Sequence, residues 1–247
     1  MKTAARYAVY FAPAAGSDLD RACSSLLGRC ARTGRSLASP RLPGIDPDRW
    51  TDLTAAPRHY GLHATLKPPF FLADGVTENE LLDALAELAG RSRSFLLPPL
   101  RLETIGSFLA LTPSGPCPEL DALARSCVME LDRFRRPPSS EELDQRRGKG
   151  LTAEQDRLLL RWGFPYVLEE FRFHLTLSNT IDDAAERALI RTGLQSHLAA
   201  VLEDQVTISG ICVFSQPGKD QAFLLDHEFE LARPAEPSPH LCPRRTS

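Results

Sequence analysis

The amino-acid sequence predicts an α+β fold with mostly antiparallel strand pairing. Two observations carry this: strand-like stretches come in adjacent pairs as well as between helices, and several segments repeat apolar residues at three- and four-residue spacing. At 247 residues, 43% of them hydrophobic, the chain is long enough to bury a substantial core around such elements.

Arg6 to Ala12 (RYAVYFA) is rich in strand formers and stops at Pro13, which suits a first strand. Leu19, Ala22, Cys23, Leu26, Leu27 and Cys30 then give one apolar face, so a helix is expected from Leu19 to Ala31. A Pro-rich connection follows, from Ser39 to Pro57. Tyr60 to Phe71 (YGLHATLKPPFF) alternates like a half-buried strand, and Pro68 and Pro69 predict its end near Lys67 because they lack the N–H of a ladder. Thr77 and Glu80 form a T-x-x-E capping box ahead of a helix that Gly90 should close.

Phe95 to Leu111 holds two apolar stretches, read as a pair of strands joined near Gly106, and Glu119 to Phe134 is amphipathic at helical spacing. Arg135 to Gly150 (RRPPSSEELDQRRGKG) is charged and carries Pro and Gly, which predicts a solvated insertion, although its arginines could also steer a phosphate. A helix resumes from Thr152 to Trp162. Phe171 to Leu177 (FRFHLTL) is a second alternating strand, followed by a helix over 183–202 and strands at 206–214 and 222–231. One folded unit over 1–232 and a Pro-rich, disordered tail over 233–247 are expected.

Charge and composition narrow the function. The formal charge is −3, so there is no global positive field to gather long nucleic acid, and a small anionic substrate stays open. No apolar run reaches the ~20 residues of a membrane span, and Arg6 and Pro13 interrupt the only leader-like stretch. The six cysteines show no C-x-x-C spacing, so reduced thiols in a cytoplasmic protein are expected.

Two segments repeat across 111 residues: Leu62-His63-Ala64-Thr65-Leu66 and Phe173-His174-Leu175-Thr176-Leu177. Side chains alternate along a strand, so each His shares a face with its Thr while the apolar residues turn to the core. The same alternation adds Lys67 to the face of His63 and Thr65, and Arg172 to the face of His174 and Thr176. A single H-x-T means little, but two in matching contexts point to one chemistry. Cleavage of a phosphodiester needs one group to take a proton from the attacking oxygen and another to protonate the leaving oxygen. Histidine, with an ordinary pKa of ~6.5, does either at neutral pH. The two hydroxyls can donate to the non-bridging phosphate oxygens, with a cation beside them. No metal or other cofactor is needed.

These residues resemble the 2H phosphoesterase superfamily, most closely its phosphonate-operon-associated, DUF1045-like branch, in which YGLHATLKPPF and FRFHLTLSNT have near counterparts. RYAVYFAP and RWGFPYVLEEFRFHLTL are similar too, so the resemblance runs from about Arg6 to Leu231. It implies a bilobal, pseudo-symmetric fold: two antiparallel sheets backed by helices, with the two H-x-T strands facing each other across a central cleft. It implies His63, Thr65, His174 and Thr176 as catalytic residues; Lys67 and Arg172, from the strand alternation and the similarity of the surrounding segment, and Tyr166, an aromatic near a family-like turn, are candidates for substrate binding. The expected substrate is a small phosphorylated ribose or nucleotide, of the 2',3'-cyclic nucleotide or cyclic ribosyl phosphate type, and a place in carbon–phosphorus bond metabolism would fit. An RNA end is a less favoured partner, no membrane is involved, and the protein is expected to be a monomer.

Other readings are weaker. His59 and His63 would make a zinc pair on one helix face, but Gly61, Pro68 and the alternation oppose that helix. Asp226-His227-Glu228 imitates a relay but alternates like a solvated strand. Tyr7, Tyr10, Tyr60, Trp162 and Phe164 could stack on a base, though core packing accounts for most of them. A binding module for nucleotides or RNA ends that keeps the cleft without turnover is the main alternative. A metallohydrolase with His63 and His174 as ligands lacks a third ligand at suitable spacing.

Overall fold

Six strand-forming residues, RYAVYF, make β1 (Arg6–Phe11), and every one after Arg6 is buried because the strand is central in its sheet. The computed structural model describes residues 5–148 and 150–233, so the tail expected over 233–247 lies almost wholly outside the described residues. Helix α1 (Asp18–Leu27) starts at Ser17, whose hydroxyl accepts from the Asp20 amide, and stops at Gly28 with φ 74°. It is therefore one turn shorter than its apolar spacing suggests, because a left-handed glycine ends it. Two short helices, α2 (Pro47–Leu53) and α3 (Ala55–Tyr60), occupy the end of the Pro-rich connection.

β2 (Ala64–Phe71) does not stop at Lys67 but runs through both prolines. The sheet order β2-β1-β8-β9 explains it: β2 is an edge strand, so its missing N–H groups cost no ladder bond on the open side. The expected capping box forms, with the Thr77 hydroxyl accepting from the Glu80 amide, and α4 (Glu78–Arg91) passes through Gly90 by one residue. Its Leu81, Leu85 and Leu88 are fully buried, each contributing about 2 kcal/mol.

Phe95–Leu96 forms a short β3 apart from the expected hairpin, which is β4 (Leu100–Ile105) and β5 (Phe108–Pro113) joined at Gly106-Ser107. α5 (Pro118–Glu130) follows, then α6 (Ser140–Arg147) and α7 (Ala153–Trp162). The solvated insertion is thus partly helical. α6 buries none of its residues and owes its helix to a Ser139/Glu142 capping box and to surface ion pairs at Arg136 and Arg147.

β6 is only Leu175–Thr176; the expected strand from Phe171 is extended chain without a ladder until it meets β5. α8 (Ala184–Leu198), β7 (Thr207–Ile208), β8 (Gly210–Gln216) and β9 (Leu224–Glu230) complete the chain. The fold is α+β with antiparallel sheets. The second sheet has the order β4-β5-β6, and β3 pairs with β7 alone. One apolar core joins Val9 and Phe11 of the first sheet to Leu109, Leu111 and Leu175 of the second through α1, α4, α5 and α8. Tyr10, on the other face of β1, packs instead with Phe214 and Phe223.

No helix among the described residues is long and apolar enough to cross a membrane. Asp226, His227 and Glu228 lie on exposed β9, where Glu228 pairs with Arg32 at 2.9 Å.

Candidate active site

The two repeats are built alike. Each His stands one residue before a strand, β2 or β6, and each turns Nδ1 to the carbonyl two residues back: His63 to Gly61 at 2.9 Å and His174 to Arg172 at 2.8 Å. A carbonyl only accepts, so Nδ1 carries the proton and the neutral ring presents Nε2 as the free base. Neither Nε2, nor either hydroxyl of Thr65 and Thr176, has a hydrogen-bond partner among the described residues. These four groups remain available to a ligand.

The repeats face each other and cross. One cavity of about 710 Å³ is lined by His63 together with Thr176, Ser178 and Asn179. The other, of about 570 Å³, is lined by Thr65 together with His174, Arg172 and Tyr166. Tyr60 and Phe108 line both, so the two hollows form one cleft in which the His of each repeat shares a cavity with the Thr of the other.

Burial pushes the His63 imidazole down to about 4; its bond to the Gly61 carbonyl opposes this, and the nearby His174 adds to it. Burial also lowers His174, again against its carbonyl bond, with Arg172 pushing the same way. Both rings are neutral at neutral pH. An anion between them would raise both values.

Lys67 is not in the cleft. Tyr10 pairs with Thr65 but Val9 pairs with Lys67, so Leu66 is an extra residue in β2, a bulge. The bulge shifts the alternation by one and sends Lys67 to the face of Val9, where it is only 1% exposed. Its ammonium donates to the Val128 carbonyl at 3.1 Å and lies 3.7 Å from Asp132. Arg172 does reach the cleft, at its rim, where it pairs with Glu103 at 2.6 Å; Arg101 pairs with the same carboxylate. Tyr166 lines the cleft and is 46% exposed, with Phe164 edge-on to it.

Sequence reasoning missed two supports of the site. Tyr10 stacks on His63 with ring centroids 4.0 Å apart. Gly61 holds φ 79° and ψ 176°, and a Cβ there would stand 2.5 Å from Ala31 Cβ. Only glycine takes that backbone comfortably, and its carbonyl fixes the His63 tautomer. The signal was a glycine two residues ahead of the first His and none ahead of the second. His59 belongs to α3 and bonds Gln216 at 2.9 Å; Gly61 ends that helix, so His59 and His63 share no helix face. Among the described residues no group of three or more His, Cys, Asp or Glu is placed to hold a metal.

Two solved structures, a phosphoesterase and E. coli LigT complexed with 3'-AMP, superpose on 93% of this chain and 99% of theirs, with TM-scores of 0.39 and 0.38 and identities of 12% and 13%. Two proteins called ribose 1,5-bisphosphate phosphokinase PhnN are similar in sequence. That of Janthinobacterium sp. (strain Marseille) is 39% identical over 199 residues, 80% of this chain and 44% of its own length. That of Laribacter hongkongensis (strain HLHK9) is 34% identical over 221 residues, 89% of this chain and 50% of its own. The chain spans about half the length of these curated relatives. The family model described as "Protein of unknown function (DUF1045)" matches residues 65–224, and the chain belongs to that family.

Proposed function

We propose that the cleft hydrolyses a small cyclic phosphodiester, of the 2',3'-cyclic nucleotide or cyclic ribosyl phosphate type, by paired histidine acid–base catalysis without a metal. The crossed arrangement carries the reading: a phosphate between the repeats meets an imidazole from one side and a hydroxyl from the other in each cavity.

We take His63 as the base, because the Gly61 carbonyl holds its Nδ1–H and leaves Nε2 free to accept. Its Nε2 takes a proton from water as the water oxygen attacks phosphorus. The bond from phosphorus to the leaving ribose oxygen breaks, and His174, recharged by the bound anion, gives that oxygen its Nε2 proton. A phosphomonoester results, and the histidines exchange their protons with solvent. Thr65 and Thr176 donate to the non-bridging oxygens, Arg172 adds positive charge at the rim, and Tyr166 offers a face to a base or ribose.

The names of the relatives support a ribose-based phosphate as the substrate class. Phosphokinase chemistry is not proposed for this chain, which contains no G-x-x-x-x-G-K-[ST] run to cradle a nucleotide's phosphates. The branch that the motif segments resemble supports a place in phosphonate metabolism.

The test is turnover of 2',3'-cyclic nucleotides and a cyclic ribosyl phosphate in EDTA, by wild type, His63→Ala and His174→Ala. Each variant is expected to lose ~10²-fold or more. Full activity in either variant sinks the paired-histidine mechanism, and loss of wild-type activity in EDTA points to a metal. Tight binding without turnover makes the protein a binding module.

A further inference from the structure

The cleft does not end at the histidines. Pro69, in the wall of the cavity that holds Thr65 and His174, also lines a separate hollow of about 280 Å³. Arg6, Arg135, Arg136 and Arg146 line that hollow against one carboxylate, Glu142. Two of the four are engaged: Arg135 pairs with Asp132 at 2.8 Å and Arg136 with Glu142 at 3.4 Å. Arg6 and Arg146 form no ion pair among the described residues. Arg6 donates to the Gln216 side-chain oxygen at 2.7 Å and lies 5.3 Å over the Phe223 ring. Arg146 lies 4.9 Å over Phe164, a residue of the cleft wall.

The two guanidiniums feel each other. Burial lowers the Arg146 value, Glu142 and Tyr60 raise it, and Arg6 lowers it by like-charge repulsion. Like charges gathered in a hollow without their own carboxylates are costly unless an anion completes the set. A strip of rings leads from them to the reacting centre. Phe223 stacks on Tyr60 with centroids 5.0 Å apart, and Tyr60 is 5.8 Å from His63. Pro69 stands in the walls of both hollows, so a ligand seated in one borders the other.

We infer that Arg6 and Arg146 form a second anion subsite, which holds a non-reacting phosphate monoester of the substrate while the diester lies between the two histidines. Guanidinium forks match phosphate oxygens two at a time, which suits them to this task. The inference rests on the phosphodiesterase reading of the cleft and narrows it: among cyclic phosphodiesters, those bearing a second phosphate are preferred.

The experiment titrates a 2',3'-cyclic nucleotide with and without a 5'-phosphate, reading the ratio of the two dissociation constants by calorimetry. A His174→Ala background keeps the probes intact. Arg146→Gln is the informative change, because Arg146 is half-buried on a surface helix that holds none of the core residues; Arg6→Gln is the companion. The 5'-phosphate is expected to tighten binding about 10-fold, and Arg146→Gln to erase most of that gain. Equal affinity for the two probes, binding of neither, or a ratio unmoved by Arg146→Gln overturns the inference. Turnover by the enzyme with His174 intact separates the two readings. If the 5'-phosphate preference and its loss are seen while neither probe is cleaved, the phosphodiesterase reading fails and the anion subsite stands.

Discussion

The imidazole of His63 lies on the ring of Tyr10, with centroids 4.0 Å apart and planes inclined by 27°. Tyr10 is itself fully buried against Phe214 and Phe223, so the histidine rests on a rigid floor while the Gly61 carbonyl holds its Nδ1. Tyr10→Phe keeps the ring and is expected to retain stability and activity within a few-fold. Tyr10→Ala removes the floor and costs about 3–5 kcal/mol in urea unfolding. Its kcat is expected to fall even where the protein remains folded. Equal activity of the two variants in the folded state would show that the stack does not position His63.

Gly61→Ala tests the other support. The added methyl meets Ala31 and the backbone is strained at φ 79°, so a loss of roughly 2–4 kcal/mol is expected, with turnover reduced at least 10-fold as the carbonyl shifts. Adding Ala31→Gly opens the space but leaves the backbone strain. Recovery of part of the stability in the double variant, read by thermal unfolding, is the expected result; full recovery would assign the whole effect to the clash.

His63 makes stability depend on pH in a defined direction. Its folded value of about 4 lies below the unfolded ~6.5, so between these values the unfolded chain binds more protons. The stability present above pH ~6.5 is therefore lost as pH falls toward 4. His63→Gln removes this contribution. Imidazole NMR of the free protein is expected to show His63 titrating well below an ordinary histidine; a midpoint near 6.5 would contradict the buried, neutral ring.

Lys67 separates burial from catalysis. The ammonium is lowered to about 8 by burial, with Asp132 holding it up, and Asp132 keeps Arg135 at 2.8 Å when the lysine is gone. Lys67→Met is expected to leave kcat/KM within about twofold and to shift stability by less than ~2 kcal/mol, because a buried ion roughly breaks even with an apolar isostere. A large, selective fall in kcat/KM would return Lys67 to the cleft.

Local signals in the sequence determined much of this protein. The Thr77/Glu80 capping box, the apolar spacing of α4, α5 and α7, and the β4–β5 hairpin at Gly106 were legible because each depends on residues within a turn or two of one another. The paired H-x-T motifs were legible as a local repeat, but which Thr shares a cavity with which His was set by how the two repeats meet. What the sequence could not decide depends on distant partners. Pro68 and Pro69 continue β2 only because that strand is at an edge, which the packing of β1 and β8 settles. The bulge at Leu66, visible only in the pairing with β1, turned Lys67 into the core. Arg172 reached the cleft but met Glu103 from a strand 69 residues away in sequence. Arg146 reads as one more charge on a solvated insertion until α6 brings it over Phe164, beside Arg6 from the other end of the chain. Periodicity assigns a side chain to a face; only the tertiary structure decides what stands opposite that face, and there the charges found or lacked their partners.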